Sequence, residues 1–263
     1  AEAIFLIACH FQRVHSTIVS PTFSEYENAC LLHQHSIDYV AVDSISSLTR
    51  TAAGLFWLCN PNNPTGHCFD LLMLDRLIGD NPQTIFVIDE AYINLCLLNG
   101  SMVDAVARHE NLIVLRSLTK QHAIPGLRLG YVVGQDRLIQ ALSAHQPPWS
   151  VNALAIEAGL FFLNNPSVID VPGLLSRARR LQQMLEESTG WGTLPSSTAY
   201  FLMEAPVPAP FLKQLLVDRY GILIRDASNF RGLSNCHFRV CSQNDEKNKL
   251  LEMALRELKS LRI

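Results

Sequence analysis

The sequence of 263 residues is 48% hydrophobic and 17% charged, and its 21 basic and 24 acidic side chains give a formal net charge of −3. A disordered chain would combine low hydrophobicity with high net charge, so this composition predicts a folded protein with a sizeable core. The near-neutral charge balance also excludes binding to nucleic acid or to anionic membranes that is driven by bulk charge.

Two further features bear on where the protein works. The most apolar long stretch, from Val151 to Leu163, is too short to cross a bilayer and contains Glu157, and the first residues, AEAIFLIA, indicate a buried helix rather than a basic leader. The seven cysteines form no C-x-x-C pair, which is typical of core residues in a reducing compartment. We therefore expect a cytoplasmic protein with neither a membrane span nor a metal site.

Short apolar runs alternate with helical patterns through the first 160 residues. Runs rich in β-branched and aromatic residues predict strands at 15–20, 37–42, 54–59, 84–89, 111–116 and 129–134. Helical patterns lie between them at 23–33, 69–79, 102–108 and 136–145. Continuous apolar strands separated by helices predict an α/β domain of three layers, in which helices cover both faces of a mostly parallel sheet.

The pattern changes after Asn164. A long helix is predicted over 167–187, followed by strands at 199–205, 222–225 and 237–241 and by a closing helix over 245–261. Few strands with helices at the ends indicate a small α+β domain. We expect a large domain over residues 1–164 and a small domain over residues 165–263.

In an open parallel sheet, ligands bind where the loops leave the carboxyl ends of the strands. Ser117 and Thr119 precede Lys120 at the end of the fifth predicted strand, and Arg128 follows eight residues after the lysine. Two hydroxyls and a guanidinium can hold a phosphate dianion, and a lysine in such surroundings can lose its proton and become a nucleophile. Taken alone, the segment favours a surface loop that contains a routine lysine.

Two other loops at the same sheet edge are polar. Asp89 closes the apolar fourth strand, where a partly desolvated carboxylate needs a cationic partner such as a protonated pyridine nitrogen, or else merely caps a helix. Asn63 lies in NPNNPTG, a rigid turn sequence after the third strand, and offers an amide donor.

Together, and in this order, the three segments resemble the aspartate-aminotransferase (fold type I) group of pyridoxal-phosphate enzymes, along the whole chain. The resemblance implies a pyridoxal 5′-phosphate cofactor and a homodimer with active sites near the subunit interface. It implies two catalytic residues: Lys120, which forms a Schiff base with the cofactor, and Asp89, which pairs with the ring nitrogen. The cofactor-binding residues that it implies are Ala1, Phe23, Asn63, Asp89, Tyr92, Ser117, Thr119, Lys120 and Arg128.

The resemblance also assigns a role to most of these side chains. Phe23 stacks on the cofactor ring, and Asn63 and Tyr92 hydrogen-bond its phenolic oxygen. The phosphate is held by Ser117, Thr119 and Arg128. In this group a glycine-rich phosphate turn immediately precedes the helix that here begins AEAIF, so the large domain is expected to be truncated at its N-terminus, with Ala1 retaining one backbone contact.

The choice of reaction depends on substrate-anchoring groups in the small domain. Arg225 and Arg239 end or interrupt apolar strands, where an arginine is costly unless it meets an anion or lies on a solvated edge. The segments SLTK, PWSVNALA and IRDASNF are similar to those of threonine-phosphate decarboxylases of cobalamin biosynthesis. That likeness implies that Asn63, Arg225 and Arg239 bind the substrate's phosphate and carboxylate. It further implies that L-threonine O-3-phosphate loses carbon dioxide to give (R)-1-aminopropan-2-yl phosphate.

Two alternatives remain at this point. Histidinol-phosphate aminotransferases and related class I/II aminotransferases share nearly the same cofactor residues, and the segment 224–233 favours the decarboxylase over them. A catalytically inactive binding protein of the same fold is the second alternative, and the intact lysine, aspartate and arginines speak against it.

Overall fold

A computed structural model describes residues 1–97, 100–166 and 169–260. The first two residues of the helix predicted over 167–187 and the last residue of the helix predicted over 245–261 lie outside the described residues. The chain divides into two compact units: the first comprises Ala1–Pro61 and Phe69–Ile169, and the second comprises Asn62–Cys68 and the chain from Asp170 onward. The division therefore falls a few residues after the predicted one, and the turn segment 62–68 groups with the C-terminal part of the chain.

The first unit is built on a six-stranded sheet with the order β2-β1-β3-β4-β5-β6. Its strands are β1 (His15–Ser20), β2 (Ser36–Ala41), β3 (Leu55–Cys59), β4 (Ile85–Asp89), β5 (Leu112–Ser117) and β6 (Gly130–Gly134). All neighbouring pairs are parallel except β5 and β6, which are antiparallel. The mostly parallel α/β sheet predicted from the sequence is confirmed, and each strand lies within one or two residues of its predicted position.

In the described part of the chain, α-helices accompany this sheet. They are α1 (Glu2–His10), α2 (Glu25–Leu32), α3 (Leu71–Gly79), α4 (Leu118–Gln121), α5 (Asp136–Ser143) and α6 (Ala153–Asn164). Alternate strand residues belong to two separate apolar clusters: Phe56 and Phe86 pack with α3, whereas Trp57 and Val87 pack with α1, α2 and α5. Helices thus cover both faces, which explains why the strands are apolar without alternation. The helix predicted over 102–108 is a single 3-10 turn, Met102–Ala105.

The second unit contains a four-stranded antiparallel sheet in the order β7-β8-β10-β9. Its elements are α7 (Val171–Thr189), β7 (Gly192–Thr193), β8 (Tyr200–Glu204), α8 (Ala209–Tyr220), β9 (Arg225–Asp226), β10 (His237–Cys241) and α9 (Asp245–Ser260). Apolar residues of all three helices pack against β8 and β10 in one core. The strand predicted over 222–225 is shorter and later than expected, because only Arg225 and Asp226 pair with β10.

No helix in the described part of the chain is both long enough and apolar enough to span a bilayer.

Candidate active site

Asp89 lies at the carboxyl end of β4, between β3 and β5 in the first unit. The residue is 8% exposed, and its two carboxylate oxygens accept hydrogen bonds from the Tyr26 hydroxyl at 2.7 Å and from the Ala91 backbone N–H at 2.9 Å. Burial raises the pKa of Asp89 above its ordinary value, while those two bonds and the positive charges of Ala1 and Lys120 oppose the rise. The site therefore holds a buried carboxylate at the sheet edge where ligands bind in such folds.

Tyr26 is a site residue that the sequence analysis did not identify. Its ring stacks on Trp57 with centroids 5.4 Å apart, and it meets the Phe23 ring edge-on at 5.9 Å. Phe23, the residue expected to stack on the cofactor, thus lies next to Tyr26, whose hydroxyl donates to Asp89. The sequence feature that could have indicated Tyr26 is its position in PTFSEY, three residues after Phe23 and at the start of a helical pattern.

Lys120 lies on α4, a helix of four residues that begins directly after β5. Ser117 caps this helix, since its Oγ accepts from the Thr119 N–H, and the two hydroxyl oxygens are 2.8 Å apart. The Nζ atom of Lys120 lies 5.6 Å from the centre of the Tyr92 ring. Because β4 and β5 are parallel neighbours, their following loops leave the same edge of the sheet, and this brings the lysine within electrostatic reach of Asp89.

Arg128 and Ala1 complete the set predicted in the first unit. Arg128 has a left-handed backbone with a φ of 59°, and its exposed guanidinium donates to the Pro125 carbonyl at 2.6 Å. Burial lowers the pKa of the Ala1 α-amino group; the nearby charge of Asp89 raises it, and that of Arg128 lowers it. The Ala1 α-amino group therefore lies within electrostatic reach of both Asp89 and Arg128.

A second buried network lies beside Asp89, and the sequence analysis missed it. The Glu90 side chain is fully buried, accepts from the Met102 N–H at 2.7 Å and forms an ion pair with Arg116 at 3.2 Å. Burial raises the pKa of Glu90, and its bonds and the Arg116 charge oppose that shift. Arg116 also donates to Asn94 at 3.2 Å, and Asn94 hydrogen-bonds Gln121 at the end of α4. These contacts anchor the short helix that carries the lysine.

Asn63 and Arg239 lie in the second unit. Arg239, on β10, donates from Nη1 to Oδ1 of Asn63, and its guanidinium carbon lies 5.0 Å from the centre of the Tyr200 ring. The Tyr200 hydroxyl in turn donates to the Asn62 carbonyl at 3.0 Å. The structure therefore joins two of the predicted substrate-binding residues directly.

Arg225 forms its hydrogen bonds with residues of its own loop, whereas Asn63 and Arg239 bond to each other. Its guanidinium donates to the Asp226 carbonyl at 2.7 Å and to the Asn229 side chain at 3.0 Å, and lies 5.4 Å from the centre of the Phe230 ring. The loop IRDASNF thus wraps around its own arginine, which stays exposed at the surface of the unit.

Comparison with known proteins identifies this arrangement. The family model for class I and II aminotransferases matches residues 1–258. The chain belongs to the class I and II aminotransferase family. The family consists of pyridoxal-phosphate enzymes, so the resemblance, the α/β fold, the enzymatic nature and the cofactor predicted from the sequence are confirmed.

Individual members of the family are similar over most of this chain. Threonine-phosphate decarboxylase of Salmonella typhimurium is 31% identical over 98% of this chain and 74% of its own length. Histidinol-phosphate aminotransferase of a Thermoanaerobacter species is 33% identical, over 82% of this chain and 61% of its own length. The crystal structure of L-threonine-O-3-phosphate decarboxylase from Porphyromonas gingivalis has a TM-score of 0.95 at 33% identity, over 98% of this chain and 81% of that one.

The first unit of this family member fits pyridoxal phosphate by its donor set. A buried carboxylate with a raised pKa is stabilised when a cationic ring nitrogen comes next to it, and Asp89 is such a group. Ser117 and Thr119 offer paired hydroxyls at the start of α4, as a phosphate requires. Lys120, the residue after Thr119, supplies an amine whose charge reaches Asp89. The roles of the individual residues follow from this fit as proposals.

Proposed function

We propose that the protein decarboxylates L-threonine O-3-phosphate to (R)-1-aminopropan-2-yl phosphate in cobalamin biosynthesis. The observation that carries this proposal is the similarity to the Porphyromonas gingivalis decarboxylase. The TM-score is 0.95 and the sequence identity is 33% over 98% of this chain. The crystal structure of the histidinol-phosphate aminotransferase from Clostridium acetobutylicum has a TM-score of 0.87 at 21% identity, which supports the fold alone.

Within the first unit, the residues around Asp89 prepare the cofactor site. When bound, pyridoxal phosphate supplies an aldehyde for the amino group of the substrate and a ring that withdraws electrons from the substrate's α-carbon. Asp89 would pair with the protonated ring nitrogen, and Lys120 would supply the amine that holds the cofactor's aldehyde group. Phe23 would pack against the ring face, and Tyr92 would donate to the ring's phenolic oxygen.

In the first unit, residues at both ends of the segment 117–128 would bind the cofactor phosphate. Ser117 and Thr119 present their hydroxyls at the N-terminus of α4, and Arg128 adds a positive charge. Ala1 contributes its backbone at the start of α1. Charge-assisted hydrogen bonds of this kind are about twice as strong as neutral ones, so they would hold a dianion firmly.

The second unit supplies the substrate's anchors. Arg239 binds one anionic group of the substrate and Arg225 binds another, one of them being the carboxylate and the other the phosphate. Guanidinium groups match both anions because their donors form a planar fork. Asn63 orients Arg239 through its amide oxygen. Anchoring both anions fixes which bond at the α-carbon can break.

The alternative function is transamination of histidinol phosphate or a related substrate. It is favoured by the 33% identity to the Thermoanaerobacter aminotransferase, although the chain spans only 61% of that relative. In that reaction Lys120 would move a proton from the α-carbon, acting as base and then as acid. The same cofactor residues serve both reactions, so the substrate's anchoring decides between them.

A direct assay separates the two reactions. The full chain, loaded with cofactor, should release carbon dioxide from L-threonine O-3-phosphate without any keto acid, and Lys120→Ala should abolish that release. Glutamate formation from 2-oxoglutarate and histidinol phosphate, with no carbon dioxide from threonine phosphate, would establish the aminotransferase instead. A protein that binds the cofactor without the visible absorbance band of the lysine-bound form would be an inactive binding protein, which contradicts both.

The proposal extends to assembly and location. We propose a homodimer, because α6 presents large apolar side chains to solvent: Leu154 is 72% exposed, Phe161 59% and Leu163 76%. Large apolar side chains exposed along one helix are typical of a protein interface. A cytoplasmic location is consistent with the cysteines, all seven of which are free thiols.

A further inference from the structure

Tyr26 lies directly behind Asp89, and the roles proposed above leave it unused. Its hydroxyl donates to Oδ2 of Asp89 at 2.7 Å, and the residue is 1% exposed. The pKa of Tyr26 lies well above its ordinary value, because burial disfavours the phenolate and the Asp89 charge repels it. Burial therefore favours the protonated phenol, which is the form that donates to Asp89.

Packing fixes the position of this hydroxyl. The Tyr26 ring lies nearly parallel to the fully buried Trp57 on β3, at an interplanar angle of 16°, and is nearly perpendicular to Phe23, at 85°. A ring held on one face by an indole and at its edge by a phenyl has little freedom to turn. The O–H of Tyr26 is therefore aimed at Asp89 by the core itself.

The two donors on Asp89 act on different oxygens. Oδ2 receives the Tyr26 hydroxyl, and Oδ1 receives the Ala91 N–H at 2.9 Å. Each carboxylate oxygen has two acceptor positions, so one position on each oxygen is left for a further donor. With both oxygens held, the plane of the carboxylate cannot rotate freely. The remaining acceptor positions consequently point in set directions.

The same bond acts on the charge of Asp89. Burial favours the neutral acid, and the Tyr26 hydroxyl is the foremost of the groups that favour the carboxylate. The other groups that favour it are the Ala91 N–H, the α-amino group of Ala1 from α1 and Lys120 from α4. Loss of the phenol oxygen would remove a charge-stabilising donor and leave the packing of the ring in place.

We propose that Tyr26 is a positioning residue that fixes the orientation of the Asp89 carboxylate and keeps it ionised for the ring nitrogen of the cofactor. This inference rests on the proposed role of Asp89 and holds for either reaction. A direct contact between Tyr26 and substrate is not part of it.

Tyr26→Phe tests the proposal, since it deletes one oxygen and keeps the ring. In the cofactor-free protein, a carbon-13 NMR titration, with the Asp89 signal assigned through Asp89→Asn, should show a higher pKa for Asp89 in the variant. The dissociation constant for pyridoxal phosphate should rise roughly tenfold, as expected for the loss of one hydrogen bond to a charged group. Tyr131→Phe, at a residue that is 47% exposed on β6, is the matched control and should change neither quantity.

A role in packing alone would lower the thermal unfolding midpoint of Tyr26→Phe and leave the pKa of Asp89 where it is, and that result would overturn the proposal. If the variant does not fold, the wild-type protein provides the second measurement: a slowly exchanging hydroxyl proton of Tyr26 that disappears in Asp89→Ala, which removes both acceptor oxygens. The lack of such a proton in wild-type protein would also overturn it. Unchanged cofactor affinity in Asp89→Asn would instead refute the role of Asp89, so the two failures are distinguishable.

Discussion

Arg239 donates a hydrogen bond to the side-chain oxygen of Asn63, although 176 residues separate them in the sequence. The acceptor is a neutral amide, so it orients the guanidinium without cancelling its charge. The Tyr200 ring lies against the same guanidinium at 5.0 Å. An arginine held in this way is directed and still cationic, as a binding site for an anionic substrate requires.

Asn63→Asp is predicted to weaken substrate binding. The new carboxylate would pair with Arg239 and neutralise it, so the KM for a substrate anion should rise by roughly tenfold or more, because a charged hydrogen bond is lost. Steady-state kinetics measures this effect. Asn244→Asp makes the same chemical change at the start of α9, where the side chain caps the helix, and should leave KM unchanged. Equal KM values in the two variants would show that Arg239 does not bind the substrate.

Gly66→Ala is predicted to destabilise the second unit. Gly66 has a φ of +70°, and a Cβ atom there would overlap Oγ of Ser196 and lie 2.8 Å from Oγ1 of Thr198. Left-handed strain and overpacking together should lower the free energy of unfolding by roughly 2–4 kcal/mol. Urea denaturation of the cofactor-free protein measures this loss.

Two glycines of the same unit separate these causes. Gly232 has a φ of +86° and open space around its Cβ position, so Gly232→Ala should cost about 1–2 kcal/mol through strain alone. Gly192 has open space and no positive φ, and its substitution should cost within about 0.5 kcal/mol. If Gly66→Ala costs no more than Gly232→Ala, the close packing at Ser196 is not a real constraint.

Glu90→Gln is predicted to cost about 3 kcal/mol of stability. The glutamine keeps an acceptor for the Met102 N–H but leaves the Arg116 guanidinium, whose side chain is 15% exposed, without its counter-charge. The double variant Glu90→Gln with Arg116→Met should recover part of the loss, which urea denaturation can measure. Arg108→Gln breaks an ion pair whose side chains are 59% and 32% exposed and should cost at most about 1 kcal/mol.

The raised pKa of Asp89 predicts an unusual pH dependence of stability. A carboxyl whose native pKa lies above its unfolded value of 3.8 stabilises the fold most below pH 3.8, and this contribution is lost as pH rises through the native pKa. Thermal unfolding of the cofactor-free protein should therefore show Asp89→Asn gaining on the wild type as pH rises above 4.

Asp75 provides a control of opposite sign for that experiment. Hydrogen bonds from Arg108 and His109 hold its pKa below the ordinary value of 3.8. Its contribution to stability is present above pH 3.8 and is lost as pH falls through the native pKa. Asp75→Asn should therefore lose its disadvantage to the wild type in acid. The same pH trend in both variants would contradict the assignment for Asp89.

Phe161→Glu is predicted to convert a dimer into a monomer. The substitution places a charge in the exposed apolar face of α6, where Phe161 itself is 59% exposed. Analytical ultracentrifugation at micromolar concentration measures the change. Leu72→Glu, at a residue of α3 that is 68% exposed, alters surface charge elsewhere and should leave the assembly intact. A wild-type protein that is monomeric would refute the proposed interface.

The sequence alone determined the local structure and the family of this protein. Apolar strand runs specify a buried parallel sheet because both of its faces are covered, and the order of the Asn63, Asp89 and Lys120 segments is a property of the chain itself. The fold class and the cofactor could therefore be predicted. Short elements were placed less well: α4 has four residues, and such a helix depends on contacts from elsewhere rather than on its own propensity.

Only the tertiary structure decided which distant side chains meet. Tyr26 and Asp89 are 63 residues apart, and Arg116 and Glu90 are 26 apart, so no local pattern marks either contact. The turn at 62–68 likewise packs with the second unit because Gly66 leaves room for Ser196, more than a hundred residues later. A hydrogen bond of a few ångströms depends on how strands and helices pack in three dimensions, and the one-dimensional pattern of residues does not contain that distance.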